Sequence, residues 1–228
     1  MHRLANGRWV GLLGIGWFVL FLLGAAVLQG EPPPAGAPVA EVRDFFHAHG
    51  TRYLAGDYVA GCAFMLLLLP FGALLPRALH LPDRPLCSYV TTGAVAALVT
   101  VGGTATSFLD AVAMAHGDTR LDDSTVTALL YANSAGIALI GLPAAVFAAA
   151  AATLLRHARA PLATTALGWL AAALLTTGAA FPLAGPDHGP LWTVRFVSFL
   201  TLAAFVLATS AHLLTRQQNR QPHRLPID

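Results

Sequence analysis

Apolar residues divide the chain into six hydrophobic stretches that are separated by short polar segments. Each stretch reaches the roughly 20 residues that an α-helix needs to cross a hydrocarbon core of ~30 Å at 1.5 Å per residue. The stretches are Trp9 to Leu28, Leu54 to Leu79, Leu86 to Ala115, Thr125 to Leu155, Pro161 to Phe181 and Leu191 to Leu214. The pattern predicts an all-α fold, a polytopic bundle of six transmembrane helices forming a single integral membrane domain over residues 1–228.

The arginines are distributed unevenly about these spans and therefore predict the orientation. An even number of spans places both termini on one side of the membrane. With the N-terminus in the cytoplasm, all but four of the thirteen basic residues fall in cytoplasmic segments, and the four on the outer side are Arg43, Arg52, Arg120 and Arg195. Because basic residues of short loops are retained in the cytoplasm, we expect cytoplasmic termini and a cytoplasmic tail over about residues 215–228.

The longest loop, about residues 29–53, joins the first two spans on the outer side. Its first part, "EPPPAGAP" at residues 31–38, favours an extended backbone. In the second part Val39, Val42, Phe45 and Phe46 recur at helical spacing. This spacing predicts a short amphipathic helix, lying on the outer membrane surface before the second span and ending at Gly50.

Composition narrows the class of protein and its partners. Charged residues make up 11% of the chain, against about 25% in an average soluble domain. All basic residues are Arg and Ala is abundant, which indicates a genome rich in G and C and, with the apolar spans, a bacterial inner (plasma) membrane. The net charge of +2 and the scattered arginines argue against nucleic acid. The predicted partner is the lipid bilayer, with a small-molecule ligand or a membrane-protein partner left open.

Local signals mark one helix start and three sites of distortion. Asp122, Asp123 and Ser124 precede the fourth span and are N-cap candidates. Kinks are expected where proline removes a backbone hydrogen bond inside a span, at Pro70, Pro76 and Pro143. These kinks fit a role in shaping the bundle better than a role as hinges.

The segment "HAHGTRYLAGD", residues 47–57, raises the question of a metal site at the outer face. The candidate ligands are His47, His49, His116 and His188. On a helix His47 and His49 point about 200° apart, whereas helical metal pairs are spaced by three or four residues. The chain has no H-x-x-x-H or C-x-x-C motif. We therefore interpret these residues as surface histidines, and we predict no cofactor.

Polar residues in the outer halves of the spans predict a pocket that opens outward. Its candidate ligand-binding residues are Asp57, Asp110, Tyr131, Asn133 and Arg195. Ionisable side chains in membrane helices usually face the bundle interior and have a partner, so we predict an ion pair between Asp110 and Arg195 across the third and sixth spans. The alternative is that both residues extend toward the headgroups or simply hold two helices together.

No motif names a reaction. The sequence lacks G-x-S-x-G, G-x-x-x-x-G-K and H-E-x-x-H, so no catalytic residue is assigned. The leading hypothesis is a non-enzymatic membrane protein that binds a small ligand in the outer pocket, as a transporter-like protein or an accessory subunit. The alternative is a membrane enzyme or metal-dependent protein that uses the outer His and Asp residues.

The arrangement of the chain also resembles a known family. A first span with a short Arg-bearing N-terminus leads through a Pro-rich loop into "FFHAHGTRYLAGDYVAG", residues 45–61, and then into a bundle rich in Ala and Gly. This is similar to the uncharacterised six-helix integral membrane proteins of actinobacteria that are classed as domain of unknown function 4386. The resemblance implies a six-helix membrane fold and no known activity.

Overall fold

The computed structural model describes residues 7–81, 85–115, 121–180 and 190–218, and the regular structure in these ranges is entirely helical. Two π-helical segments, Leu22–Gln29 after the first helix and Phe64–Leu68 after the second, continue the α-helices that they follow. The α-helices are α1 (Gly7–Phe21), α2 (Val39–Ala63), α3 (Leu69–Ala78), α4 (Pro85–Met114), α5 (Asp123–His157), α6 (Leu162–Gly178) and α7 (Pro190–Gln218). The predicted all-α fold is confirmed.

Five helical rods are long and apolar enough to cross a membrane. They are Gly7–Gln29, Val39–Ala78, Pro85–Met114, Asp123–His157 and Thr193–Arg216. The apolar helix α6 is shorter, with 17 residues, and so measures about 26 Å at 1.5 Å per residue. This is the architecture of a polytopic membrane protein, with α6 close to the length that the fifth span requires.

The helices pack antiparallel through small residues. A Cβ built on Gly136 of α5 would lie 2.7 Å from the Cβ of Ala105 on α4, and one built on Gly168 of α6 would lie 2.6 Å from the Phe205 ring of α7. Helix α7 in turn packs against α1. Close approach through Gly and Ala is the usual means of helix association in membranes. We call the end of the bundle where α4 finishes and α5 begins the Asp110 end, and the opposite end the His212 end.

Two apolar clusters fill the interior. The larger one surrounds Phe71, Phe147 and Phe205, which are fully or almost fully buried. Its aromatic part joins α1 to α7, because the Phe21 ring lies 4.9 Å from the Phe199 ring, centroid to centroid. The smaller cluster lies at the Asp110 end and comprises Val42, Phe46, Tyr53, Leu109, Val112, Ala113, Val126 and Leu130. It ties α2 to α4 and α5 beside the polar residues described below.

The segment before the second span is helical, as predicted, but it does not form a separate surface helix. Helix α2 runs without interruption from Val39 through Gly50 to Ala63. The reason is a single buried stripe at spacings of three and four residues, the helical period, that passes through Gly50 itself: Val42, Phe46, Gly50, Tyr53, Gly56, Ala60 and Ala63. Because Gly50 is packed inside this stripe, it does not act as a C-cap, and the prediction that it ends the helix is wrong.

Regular α-helix in the second rod is interrupted close to one of the predicted proline sites. The π-helical segment Phe64–Leu68 ends two residues before Pro70, which lies in the first turn of α3, where a missing N–H costs little. Pro76 and Pro143 lie inside α3 and α5, both of which continue past them. Of the three predicted distortions, the irregular backbone therefore accompanies Pro70.

Candidate functional site

Polar side chains from three helical segments meet near the Asp110 end. They are Gln29, Tyr53, Asp57, Thr106 and Asp110, which we call the carboxyl cluster. Tyr53 and Asp57 are four residues apart on α2, and Thr106 and Asp110 are four residues apart on α4. Each pair therefore lies on one helix face, because residues at i and i+4 are neighbours on a helix surface.

Gln29 is held against α2 by an unusually close backbone crossing. A Cβ built on Gly24 would lie 2.6 Å from the backbone oxygen of Gly56, and a Cβ on Gly56 would overlap the backbone nitrogen of Gln29. Gly30 follows with φ +71°, a left-handed conformation that glycine adopts without strain. The crossing brings the Gln29 side chain to Asp57, where Nε2 donates a hydrogen bond to Oδ1 at 3.2 Å. Gln29 also hydrogen-bonds with Tyr53, which is buried.

The two carboxyl groups of the cluster are in direct contact. The Asp57 side chain hydrogen-bonds with the side chains of Thr106 and Asp110. Asp110 Oδ1 is buried and accepts no hydrogen bond from the protein. This oxygen can therefore still accept a hydrogen bond from a ligand. An ionised carboxylate can only accept hydrogen bonds, so two adjacent carboxyl groups must share a proton or hold a cation.

No basic side chain neutralises this pair within the described ranges. The side-chain ion pair found there is Arg43–Asp123, with Nη2 of Arg43 at 2.9 Å from Oδ1 of Asp123. Arg43 also donates to the Leu121 carbonyl at 2.6 Å, and Arg52 donates to the Val27 carbonyl at 2.5 Å. These arginines of α2 therefore fasten the helix to its neighbours and do not contact the carboxyl cluster.

Asn133 is buried at about the level of the cluster, whereas Tyr131 is exposed. Asn133 of α5 is 8% exposed, and its Oδ1 is buried without a hydrogen-bond donor from the protein. The contact between Gly136 and Ala105 sets the antiparallel register of α4 and α5, which places Asn133 about level with the turn that ends in Asp110. Tyr131, two residues away and hence about 200° around the helix, is 46% exposed.

The predicted ion pair between Asp110 and Arg195 does not form. Asp110 contacts Asp57 of α2, while the Arg195 backbone of α7 packs on α6, where a Cβ on Gly178 would lie 3.1 Å from the Arg195 Cα. Helix α4 packs against α2, α3 and α5, and α7 packs mainly against α1 and α6. Their helices are not neighbours, and the two residues also differ in depth. The contacts of Gly178 with Arg195, of Gly141 with Ala179 and of Gly136 with Ala105 place Arg195 about ten residues, or ~15 Å, deeper in the bundle than Asp110.

The candidate metal ligands show no convergence within the described residues. His47 and His49 are both exposed on α2, and the His49 ring packs against the Phe45 ring with centroids 5.3 Å apart. No group of three His, Cys, Asp or Glu side chains suited to a metal ion occurs among the residues that the structure describes. His116 and His188 lie outside the described ranges, so their part in the prediction stays untested.

The start of α5 forms a polar rim at the same end of the bundle. Asp122 caps the helix as predicted, with Oδ1 accepting hydrogen bonds from the Thr125 backbone N–H at 2.7 Å and from the Ser124 hydroxyl at 3.0 Å. The hydrogen bonds from Thr125, then that from Ser124 and the charge of Arg43, hold the pKa of Asp122 below its usual range. Asp122 is therefore ionised at neutral pH.

An open acidic groove lies between the Pro-rich loop and the first turns of α2. Its lining consists of Pro32, Pro33, Pro34 and Phe45 together with three carboxylates, Glu31, Glu41 and Asp44. Its first lining residue, Glu31, follows Gln29 by two residues, so the groove lies at the same end of the molecule as the carboxyl cluster. Clustered negative charge of this kind raises the local concentration of cations.

Sequence reasoning placed Asp57 and Asp110 at one level but missed the side chains that bind them. The sequence does indicate Tyr53 and Thr106, because Tyr53 precedes Asp57 and Thr106 precedes Asp110 by four residues, the spacing of neighbours on one helix face. Tyr58, which lies next to Asp57 in the chain, is 75% exposed and points away from it. Gln29 carries no such signal, because its position depends on the π-helical segment and on the crossing at Gly24 and Gly56.

Comparisons with known proteins add no relative. No family model, no curated protein and no solved structure matches the chain. The resemblance to the six-helix actinobacterial family therefore stays a prediction from the sequence pattern, and the site must be interpreted from its own geometry.

Proposed function

We propose that this protein is a non-enzymatic protein of a bacterial plasma membrane that binds a small cation at the carboxyl cluster, as a transporter-like protein or a ligand-binding accessory subunit. The positive-inside rule supports cytoplasmic termini, because the arginines favour the side that holds both chain ends. In that orientation the Asp110 end is the outer end. The cluster then receives its ligand from outside the cell.

The contact between Asp57 and Asp110 is the observation that carries the proposal. Carboxyl groups inside a helix bundle are costly, and they usually persist with a basic partner or in a pathway for ions or protons. Here the nearest polar groups are the amide of Gln29 and the hydroxyl of Thr106, and neither carries a charge. A bound proton or cation is what remains to offset the charge of two adjacent carboxylates.

The donor set defines the class of ligand. Two carboxyl groups and the Thr106 hydroxyl supply oxygen atoms, which suit a proton, an alkali cation or a primary ammonium group. Asp110 Oδ1, which no protein group occupies, is the atom with free capacity to accept such a ligand. Cation binding displaces the proton that the two carboxyl groups otherwise share, and the acidic groove at the same end of the bundle concentrates cations there.

A thermal-stability screen of the protein purified in detergent tests the proposal. The chlorides of sodium, potassium and methylammonium are compared with choline chloride at equal ionic strength. A ligand at 100 times its Kd raises the free energy of unfolding by about 2.7 kcal/mol. We expect one of the three cations to raise Tm, and we expect Asp57→Asn and Asp110→Asn each to abolish the rise.

Asp123→Asn is the matched control, because Asp123 is an exposed aspartate at the same end of the bundle but outside both the carboxyl cluster and the acidic groove. This variant should keep the full rise in Tm. A rise that survives both cluster substitutions, or no rise with any cation at pH values from about 5 to 9, contradicts cation binding at the cluster.

A further inference from the structure

A second polar region lies on α7 toward the opposite end of the bundle. Thr209, His212 and Arg216 follow one another at spacings of three and four residues and so share one face of the helix. This face is directed at α6, because Phe205, one turn before Thr209, packs within 2.6 Å of the Cβ position of Gly168. We call these three residues the α7 stripe.

Each residue of the α7 stripe has a buried polar atom without a protein partner. The atoms are Thr209 Oγ1, His212 Nε2 and one terminal nitrogen of Arg216, Nη1. Thr209 is 0% exposed. A buried polar group that lacks a hydrogen bond destabilises the fold, so three such groups on one face indicate that something other than the protein binds them.

Other threonines of the same helix show that this is not a general property of α7. Thr201 donates to the Val197 carbonyl at 2.7 Å, and Thr215 donates to the Ala211 carbonyl at 3.1 Å. Bonding back to the preceding turn is the usual way in which a helical threonine satisfies its hydroxyl. Thr209 is buried more deeply than either residue and makes no such bond.

The three groups span two turns of one helix face, about 10 Å at 1.5 Å per residue. Long helical side chains lean toward the helix N-terminus, so the Arg216 side chain extends back toward His212 and Thr209. The His212 ring and the Arg216 guanidinium are close enough to interact electrostatically. No described carboxylate pairs with Arg216. The stripe thus offers a fixed positive charge, a hydroxyl and a ring nitrogen that can donate.

We propose that the α7 stripe binds a phosphate group. A guanidinium with free N–H donors matches the geometry of phosphate oxygens, and the Thr209 hydroxyl and His212 Nε2–H add two further donors. Arg216 ends its span, so the stripe terminates at the level of the phospholipid head groups and of dissolved phosphate. Basic pockets between transmembrane helices are known sites for anionic head groups.

Thermal stability of the protein in a non-ionic maltoside detergent tests this inference and separates the two sources of phosphate. One arm adds inorganic phosphate against chloride at equal ionic strength, and the other adds phosphatidylglycerol against a neutral diacylglycerol. Binding is expected to raise Tm in at least one arm. A rise in both arms assigns the site to phosphate as such, and a rise with the lipid alone assigns it to the head group.

Two variants test the stripe, one through its affinity for phosphate and the other through the stability of the protein without ligand. Arg216→Gln should weaken the apparent Kd by at least about tenfold, the equivalent of one charge-assisted hydrogen bond. Thr209→Val removes a buried hydroxyl that has no partner while keeping its shape, so it should raise Tm without ligand and reduce the rise that phosphate produces. Arg156→Gln and Thr215→Val are the controls, because both residues are exposed at the same end of the bundle. No rise in either arm, or a rise that is equal in all four variants, overturns the proposal.

Discussion

The two polar regions of this bundle differ in how they are built. The carboxyl cluster draws on three helical segments, is acidic, and satisfies most of its polar atoms internally through hydrogen bonds such as that from Gln29 to Asp57. The α7 stripe comes from one helix, is basic, and leaves Thr209, His212 and Arg216 each with a buried atom that has no protein partner. The first region brings residues of three segments together by tertiary packing, whereas the second takes all its polar residues from one face of a single helix.

This difference predicts where each region is vulnerable. The carboxyl cluster should lose cation binding when its helices are moved apart, even if none of its polar residues is changed. The α7 stripe should survive such changes and respond only to substitution of its own side chains. The two regions should also behave independently, because they lie toward opposite ends of the bundle.

The largest effect is expected at the crossing of α2 with the π-helical segment. In Gly56→Ala the new Cβ overlaps the backbone of Gln29, so the two segments must separate and the hydrogen bond from Gln29 to Asp57 must break. Overpacking against backbone should cost about 3 kcal/mol of unfolding free energy. Thermal melting in detergent measures this cost, and the rise in Tm with cation should be lost while that with phosphate remains.

Gly61→Ala on the same helix is the matched control for that substitution. Nothing lies within 4 Å of the Cβ position of Gly61, so alanine there should stabilise the helix by about 0.5–1 kcal/mol. Equal effects of alanine at Gly56 and Gly61 would show that the close crossing does not support the site.

A double-substitution cycle measures the next effect, the coupling within the carboxyl cluster. Asp57→Asn and Asp110→Asn change groups in direct contact, so their effects on unfolding free energy should deviate from additivity by about 1 kcal/mol. Asp57→Asn combined with Arg216→Gln should be additive within ~0.5 kcal/mol, because these residues share no partner. Additivity in the first cycle, or strong coupling in the second, would remove the distinction between the two regions.

The all-helical fold, the limits of most spans and the N-cap at Asp122 follow from the sequence because they depend on local apolar periodicity and on short-range hydrogen bonds. The second rod is the exception, since it begins at Val39 and not at Leu54. The level of Asp57 and Asp110 follows from counting residues along two spans. The lateral neighbours of a helix do not follow from the sequence, so the predicted pairing of Asp110 with Arg195 joins two helices that do not pack together. The ligand-binding role of Asn133 and of Tyr131 stays a prediction, although the 46% exposure of Tyr131 separates it from the cluster.

The continuity of α2 and the position of Gln29 also escape the sequence, for a shared physical reason. In a soluble helix or surface loop, Gly50 and Gly56 would favour termination. In a membrane bundle glycine instead allows close packing, and the buried stripe of α2 passes through both residues. The local preference of glycine is overridden by contacts that only the assembled helices supply.

A smaller effect is expected at the rim of the Asp110 end and should depend on pH. The folded pKa of Asp122 is lowered by its hydrogen bonds to Thr125 and Ser124, so ionised Asp122 stabilises the start of α5 above the ordinary aspartate pKa. This stabilisation should disappear as the pH falls through the lowered value. The measurement is the difference in Tm between the wild type and Asp122→Asn from pH 7 down to about pH 3. A difference that stays constant over this range would show that the cap does not depend on charge.

The smallest effect is expected at the turn from α5 to α6, beside the α7 stripe. Arg159 has φ +55°, a left-handed conformation that costs an L-residue roughly 1–2 kcal/mol, while Ala160 N–H donates to the Leu155 carbonyl at 3.0 Å and closes the helix end. Arg159→Gly relieves this strain but adds freedom to the unfolded chain, so a net gain of about 0.5 kcal/mol is expected. Arg156→Gly, inside α5, should instead cost up to about 1 kcal/mol.

The same variant also tests the limits of the α7 stripe. Because Arg159 is exposed and lies outside the stripe, its replacement should leave the rise in Tm with phosphate unchanged at fixed ionic strength. A loss of that rise would mean that the phosphate site extends to this turn and is not built from α7 alone.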